Sequence, residues 1–174
     1  MTRIVGATLA FLFALVGCTD PVASDRQESL GPEPDPLIRP GPFHRGGQPC
    51  TWCHDGNEQR EFSMAGTVYA TLEAKKPVSG ARVEMTDASG KTFVVETNCA
   101  GNFFVRPETW RPQFPVKTKV SWGTQVMEME SAIHRESSCA ACHMKTVSSS
   151  SAGAIYLWAE AGQVPENVPG GGCR

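Results

Sequence analysis

Two stretches of this chain carry cysteine and histidine at the same spacing, Cys-x-x-Cys-His, at residues 50–54 and 139–143. Two thiols three positions apart on one turn reach the two vinyl groups at one edge of a porphyrin. The imidazole that follows then lies beneath the ring, where its nitrogen binds iron. The spacing predicts two covalently attached haem c groups, with Cys50, Cys53, Cys139 and Cys142 as attachment points and His54 and His143 as iron ligands.

Cysteine pairs at this spacing have two other uses. Four thiolates, or a mixture of thiolates and imidazoles, hold zinc in a tetrahedral site, and two neighbouring thiols form a disulfide. Neither use needs a histidine directly after both pairs, whereas haem attachment requires it. Both motifs meet that requirement, which favours haem over the two alternatives.

The chain contains four histidines, and only His44 and His134 lie outside the two motifs. His44 is six positions before Cys50, and His134 is five positions before Cys139. The similar placement predicts that each supplies the second axial ligand of one iron, giving bis-histidine coordination. Which histidine serves which haem stays open, because each can bind the haem of its own motif or the other one.

Thioether sulfur is the competing distal ligand. Met144 directly follows His143, so it cannot easily reach the opposite face of the same haem. Core packing is the default role of Met127 and Met129, because both lie in a predicted strand. The available thioethers are Met64, Met127, Met129 and Met144.

Two aromatic side chains lie close to the first motif. Trp52 is within it, and Phe43 directly precedes His44. Burial against a large apolar macrocycle is the simplest role for such side chains. We therefore expect both to cover a face of the first haem.

The first 17 residues have the form of an export signal. A positively charged start is followed by an apolar run over residues 4–16 that is too short to span a bilayer. The run ends in Leu-Val-Gly-Cys, which resembles the lipobox of bacterial lipoproteins. The resemblance implies cleavage before Cys18, a lipid on its thiol, and a mature chain anchored to a bacterial membrane. We expect the outer membrane, with the protein facing the periplasm or the cell exterior.

Residues 18–42 contain six prolines and few large apolar side chains. Such a stretch buries too little surface to fold alone, so we expect a semi-extended tether behind the lipid anchor. The predicted order after it is a first haem-binding segment at 43–61, a β-sandwich at 62–131, a turn-rich second haem-binding segment at 132–147, and a strand with a flexible tail at 148–174.

The segment over residues 62–131 alternates apolar and polar side chains. The alternation is clear at 81–85 and 116–122, and Asp-Ala-Ser-Gly at 87–90 and Cys-Ala-Gly-Asn at 99–102 are turn sequences. A period of two with regularly spaced turns predicts a mainly β fold. We expect a small antiparallel sandwich in which each sheet has one solvated face.

The same segment resembles the carboxypeptidase regulatory-like domain, through residues 65–69, 77–83 and 97–103. That family is a small seven-stranded transthyretin-like sandwich and is usually non-catalytic. Cys99 lies where the family's turn usually carries an acidic or other small polar residue. The resemblance implies a scaffold and does not by itself assign a function.

Each of the seven cysteines can be assigned a role. Cys18 takes the lipid and four cysteines take the haems, which leaves Cys99 and Cys173. Two leftover thiols in an oxidising compartment predict a disulfide, although spacing alone does not establish the connectivity.

The lipobox and the two haem motifs together resemble a dihaem c-type cytochrome lipoprotein. The resemblance implies a membrane-anchored electron carrier, not an enzyme, whose partners are redox proteins such as other multihaem cytochromes. A small dihaem peroxidase or reductase and a zinc-binding structural lipoprotein stay open as alternatives. The 18 acidic and 16 basic residues include no basic block interleaved with aromatics, which argues against nucleic acid as a partner.

Overall fold

The computed structural model describes residues 20–33, 35–57, 59–73, 76–144 and 147–173. The export signal and the proposed lipid-bearing Cys18 lie outside this part of the chain. The described residues form short strands, three single 3-10 turns and one α-helix, so the mainly β fold class is confirmed. None of the helices in these ranges has the length and apolar character needed to cross a membrane.

Most of the strands lie between the two motifs. The α-helix is α1, Pro21–Ser29, and the 3-10 turns are η1, Cys50–Trp52, η2, Cys139–Ala141, and η3, Ala161–Gln163. In chain order the strands are β1 Met64–Tyr69, β2 Arg82–Thr86, β3 Thr92–Glu96, β4 Asn102–Val105, β5 Lys117–Trp122, β6 Gln125–Glu128, β7 Val147–Ser148, β8 Ser151–Ala152 and β9 Ile155–Tyr156.

The strands form two main sheets and a small hairpin. The four-stranded sheet has the order β3-β2-β5-β6, and all of its neighbours are antiparallel. In the second sheet β4 is antiparallel to β1. On the other edge of β1, the short β9 is parallel to it. Strands β7 and β8 form the hairpin beyond the second motif.

The core lies between the two main sheets. Met64, Val68 and Phe103 of the three-stranded sheet share one buried cluster with Val83 and Met85 of the four-stranded sheet. Each is at most 2% exposed. Burial of one such side chain contributes roughly 1.5–3 kcal/mol, and inward-facing residues of both sheets interdigitate as in a sandwich.

Strand β1 is buried along its whole length, unlike the alternating β2 and β5. On one face of β1, the Thr67 hydroxyl accepts a hydrogen bond from the Gly47 N–H at 2.8 Å. On the opposite face, a Cβ built on Gly66 would lie 3.0 Å from the Cβ of Cys139. Since neighbouring strand residues point to opposite faces, β1 supports the segments around both motifs.

The amino-terminal segment differs from the extended tether that its prolines predicted. It contains α1, whose start is capped by the Asp20 carboxylate and has proline at its first position, a favourable helix start. The Gln27 side-chain amide donates to the Trp52 carbonyl at 2.9 Å. The Arg26 guanidinium lies 5.8 Å from the centre of the Trp52 ring. These contacts hold the helix against the first motif.

The carboxyl-terminal segment is fastened to the sandwich, where a flexible tail was expected. Cys99 and Cys173 form a disulfide with their Cα atoms 5.7 Å apart. Next to it, the Gly171 N–H donates to the Cys99 carbonyl at 2.9 Å, and the Ser79 N–H donates to the Pro169 carbonyl at 2.8 Å. Three links therefore tie the end of the chain to the turns of the sandwich.

Candidate functional site

Both Cys-x-x-Cys-His motifs fold into the same local turn, η1 or η2. In each one, the carbonyl of the first cysteine accepts from the backbone N–H groups of the second cysteine and of the histidine. The distances are 3.2 and 2.9 Å at Cys50, and 3.2 and 2.8 Å at Cys139. The backbone therefore presents two thiols and one imidazole in the same way at both places.

A backbone carbonyl orients each motif histidine. The Nδ1 atom of His54 is 3.0 Å from the Arg60 oxygen, and that of His143 is 3.0 Å from the Gly153 oxygen. A carbonyl can only accept, so Nδ1 carries the proton and Nε2 presents its lone pair. Metal-binding histidines are commonly oriented by such a contact.

Burial favours the neutral form of the His54 ring. It lowers the pKa of His54, and the hydrogen bond to the Arg60 carbonyl and the charge of Asp55 oppose this effect in part. The nearby ring of His44 lowers the pKa of His54 further. A neutral imidazole is the form that binds a metal.

A cavity of about 870 Å³ lies beside the first motif. Its size is in the range of about 300–1,000 Å³ found for sites that bind small molecules and cofactors. The lining includes Cys50, Cys53 and His54 together with His44. The structure thus groups His44 with the first motif.

The rings of His44 and His54 have the separation expected for two ligands of one metal ion. Their centroids lie 5.9 Å apart and their planes differ by 44°. Two metal–nitrogen bonds of about 2 Å, plus roughly 1 Å from each nitrogen to its ring centre, give about 6 Å. One iron could therefore be held between the two rings.

A turn of the sandwich positions His44. The Asn102 side-chain amide donates to the His44 carbonyl at 3.1 Å, and that of Asn98 donates to the Pro42 carbonyl at 2.7 Å. The His44 Nδ1 atom contacts the backbone of Gly41. These contacts leave Nε2 as the atom able to bind a metal.

The aromatic side chains at the first site are not the ones that the sequence indicated. Phe62 stacks on the His54 ring with centroids 4.1 Å apart, and Phe104 stacks on Phe62 at 4.8 Å. Trp52 packs against Arg26 instead, and neither Trp52 nor Phe43 lines the cavity. The sequence has no local signal for Phe62, because its contact depends on how the chain returns to the motif.

The second motif has its own cavity, of about 680 Å³. Cys139, Cys142 and His143 line it together with His134. His134 is exposed. The structure therefore groups His134 with the second motif, so the uncrossed pairing of histidines and motifs matches the fold.

The methionines are distributed unequally between the sites. Met127 and Met129 line the second cavity and are half-buried there, so core packing is not their only role. No described methionine lines the first cavity. Met64 is fully buried in the core, and Met144 is exposed outside both linings. A thioether ligand thus remains an alternative at the second site.

The two sites adjoin each other. Phe103 lines both cavities, and a Cβ on Gly66 would lie 2.9 Å from its ring. Burial raises the pKa of the Cys50 thiol to about 11. Burial, followed by the neighbouring Cys50, raises the pKa of the Cys139 thiol to about 12. Because Phe103 belongs to the walls of both cavities, the two motifs lie close together.

Comparisons with protein-family models, with curated proteins and with solved structures found no match. Within the described ranges, no three His, Cys, Asp or Glu side chains cluster closely enough to hold a bare metal ion. What the residues do fit is a haem at each motif: paired thiols, an oriented imidazole and a cavity of cofactor size beside them.

Proposed function

We propose that this protein transfers electrons as a membrane-anchored dihaem c-type cytochrome. The observation that best supports this proposal is the turn found at both motifs, in which a carbonyl-oriented imidazole and two thiols adjoin a cavity. Two independent copies of this arrangement in one small chain have a common explanation in covalent haem.

A bound haem supplies an iron that cycles between the ferric and ferrous states by one electron. Cys50 and Cys53 would hold the group covalently at the first site. His54 and His44 would both bind the iron, which would leave no position for a substrate. Filled axial positions suit electron transfer because the ligands change little between the two states.

At the second site Cys139 and Cys142 would attach the group, and His143 would bind the iron. His134 is the candidate distal ligand, with Met127 and Met129 as the competing thioethers. Bis-histidine coordination gives a lower potential than coordination by histidine and methionine. The identity of this ligand therefore tunes the second site without changing the proposed function.

The adjoining sites support passage of electrons within one molecule. Phe103 belongs to the walls of both cavities, so the two macrocycles would lie close together. The sandwich, with its likeness to a carboxypeptidase regulatory-like domain, serves as a scaffold. A lipid on Cys18 would hold it at a bacterial membrane, next to redox partners such as other multihaem cytochromes.

One observation favours a second candidate function, a small dihaem peroxidase or reductase. His134 is exposed, and its ring has no hydrogen bond or ion pair to another described residue. A distal ligand held so weakly can leave its position open to a substrate. The two functions differ in the spin state of the second iron.

Absorption spectroscopy tests the proposal on protein produced together with a cytochrome c maturation system. We expect six-coordinate low-spin spectra for both haems, with reversible reduction and reoxidation. High-spin ferric haem in half of the sites supports the enzyme instead. Absence of a Soret band rejects haem altogether and leaves zinc, which elemental analysis of the same protein would detect.

A further inference from the structure

Among the residues that the structure describes, the linings of the two cavities carry opposite charge. Three described arginines and one described glutamate surround the first cavity, and three described glutamates and one described arginine surround the second. The charged residues of the first lining are Arg45, Arg60, Arg106 and Glu33, and those of the second are Glu128, Glu130, Glu136 and Arg135.

No ion pair between described residues neutralises the arginine charges at the first cavity. The Arg45 guanidinium donates to the Gln48 side chain at 2.7 Å and to the Gly31 carbonyl at 2.9 Å, and both acceptors are neutral. Among the described residues, the guanidinium groups of Arg60 and Arg106 have no acidic partner within ion-pair distance. Their field therefore acts on the cavity.

The acidic charges at the second cavity are also free of ion pairs to the described residues. Glu136 accepts a hydrogen bond from the backbone N–H of Ser138 at 3.0 Å, and a backbone group adds no compensating charge. Glu128 and Glu130 are exposed at the rim. Arg135, at the rim, offsets only one of the three glutamate charges.

We propose that these linings give the two haems unequal potentials, the higher at the first motif and the lower at the second; the inference rests on the proposed function. Reduction adds one negative charge at the iron, which nearby cations stabilise and nearby anions oppose. The carbonyl contact of the motif histidine is the same at both sites. The carbonyl contact therefore does not distinguish the two sites, whereas the charges of their linings do.

Unequal potentials give electron transfer a direction. One electron leaves the iron at Cys139–His143, which becomes ferric, and reaches the iron between His44 and His54, which becomes ferrous; no proton moves. A one-electron donor protein with a basic contact surface is attracted to the acidic rim. An acceptor protein with an acidic surface removes the electron at the arginine-lined end.

The test is a potentiometric titration of the holoprotein followed by absorbance, with one charge removed at each site. We expect two resolved steps. R106Q lowers the potential of the higher step, and E130Q raises that of the lower step, each leaving the other step in place. R60Q repeats the first experiment at an exposed position if R106Q does not mature.

Two matched controls remove exposed charges on the sheet, outside both linings. Arg82 and Glu96 are cross-strand partners in β2 and β3, and R82Q and E96Q are expected to leave both steps unchanged. Shifts in the controls as large as those in R106Q and E130Q would overturn the assignment to the cavity charges.

Three results would overturn the inference. A protein with two haems per chain whose titration shows a single step would overturn it, because the two potentials are then equal. A reversed order would do so as well, with R106Q shifting the lower step, as expected if a thioether of Met127 or Met129 raises the second potential. Matured protein that contains no haem would reject both the proposed function and the inference. The first two results would reject the inference alone.

Discussion

The imidazole rings of His44 and His54 lie 5.9 Å apart in one cavity, although the two residues are ten positions apart along the chain. The second motif repeats the proximal half of this arrangement, but its companion His134 is exposed. The two sites are therefore alike in how they present two thiols and an imidazole, and different in how closely a second histidine is held.

Removal of His44 should change the spin state of one of the two haems. In H44A the iron bound by His54 loses its distal ligand, so we expect half of the ferric haem to become high-spin with unchanged haem content. Low-temperature electron paramagnetic resonance and absorbance measure this fraction. H134A is the matched variant, and it should leave the first haem low-spin. An entirely low-spin spectrum in H44A would show that His44 is not a ligand of the iron.

The side chain of Asn102 is expected to set the position of His44 without touching the haem. N102A loses the hydrogen bond to the His44 carbonyl and leaves the Thr67 hydroxyl without its acceptor. Loss of such buried hydrogen bonds costs about 1–3 kcal/mol. We predict a partial high-spin signal from the first haem and a lower midpoint in urea unfolding.

The control for Asn102 is the exposed Asn167. N167A should leave both the spectrum and the unfolding midpoint unchanged. If N102A lowers stability but keeps the first haem fully low-spin, then the turn at residues 98–102 stabilises the sandwich and does not position His44.

Gly66 lacks room for a side chain. An added Cβ would lie 2.9 Å from the Phe103 ring and 3.0 Å from the Cβ of Cys139, closer than packed carbon atoms approach. Overpacking of this kind costs about 1–3 kcal/mol. G66A should lower the urea midpoint accordingly and reduce haem attachment at the second motif, measured by intact mass.

A glycine with open surroundings provides the comparison for G66A. Nothing lies within 4 Å of a Cβ built on Gly162, so G162A should mature with full haem content and a normal midpoint. Equal behaviour of the two variants would show that the contact between β1 and the second motif tolerates the extra methyl group.

The disulfide should stabilise the sandwich without affecting the haems. Cys99 and Cys173 are 74 residues apart in sequence, and closing a long loop typically contributes about 2–4 kcal/mol, mostly by restricting the unfolded chain. The double variant C99S/C173S should lose that much in urea unfolding and keep low-spin spectra. Insensitivity of wild-type unfolding to a reducing agent would contradict the prediction.

Sequence reasoning succeeded where the signal is local. The alternation at residues 81–85 and 116–122 predicted strands, and β2 and β5 lie there. The equal spacing within the motifs also matches the equal turns at Cys50 and Cys139. In both cases a few consecutive residues determine the backbone geometry.

Sequence reasoning missed features that depend on tertiary contacts. The prolines of residues 18–42 indicated an extended tether, whereas Asp20 and Pro21 start a helix that the first motif holds in place. Strand β1 shows no alternation, because both of its faces are covered. The stacking of Phe62 on His54 likewise depends on a contact that no short pattern encodes.

The most direct test is the intact mass of matured protein, measured for the wild type and for two variants that lack one thiol pair each. We predict two haem additions for the wild type, and one each for C50A/C53A and C139A/C142A. A wild-type mass equal to that of the polypeptide and its lipid would contradict the central claim, as would two haems retained after either pair is removed.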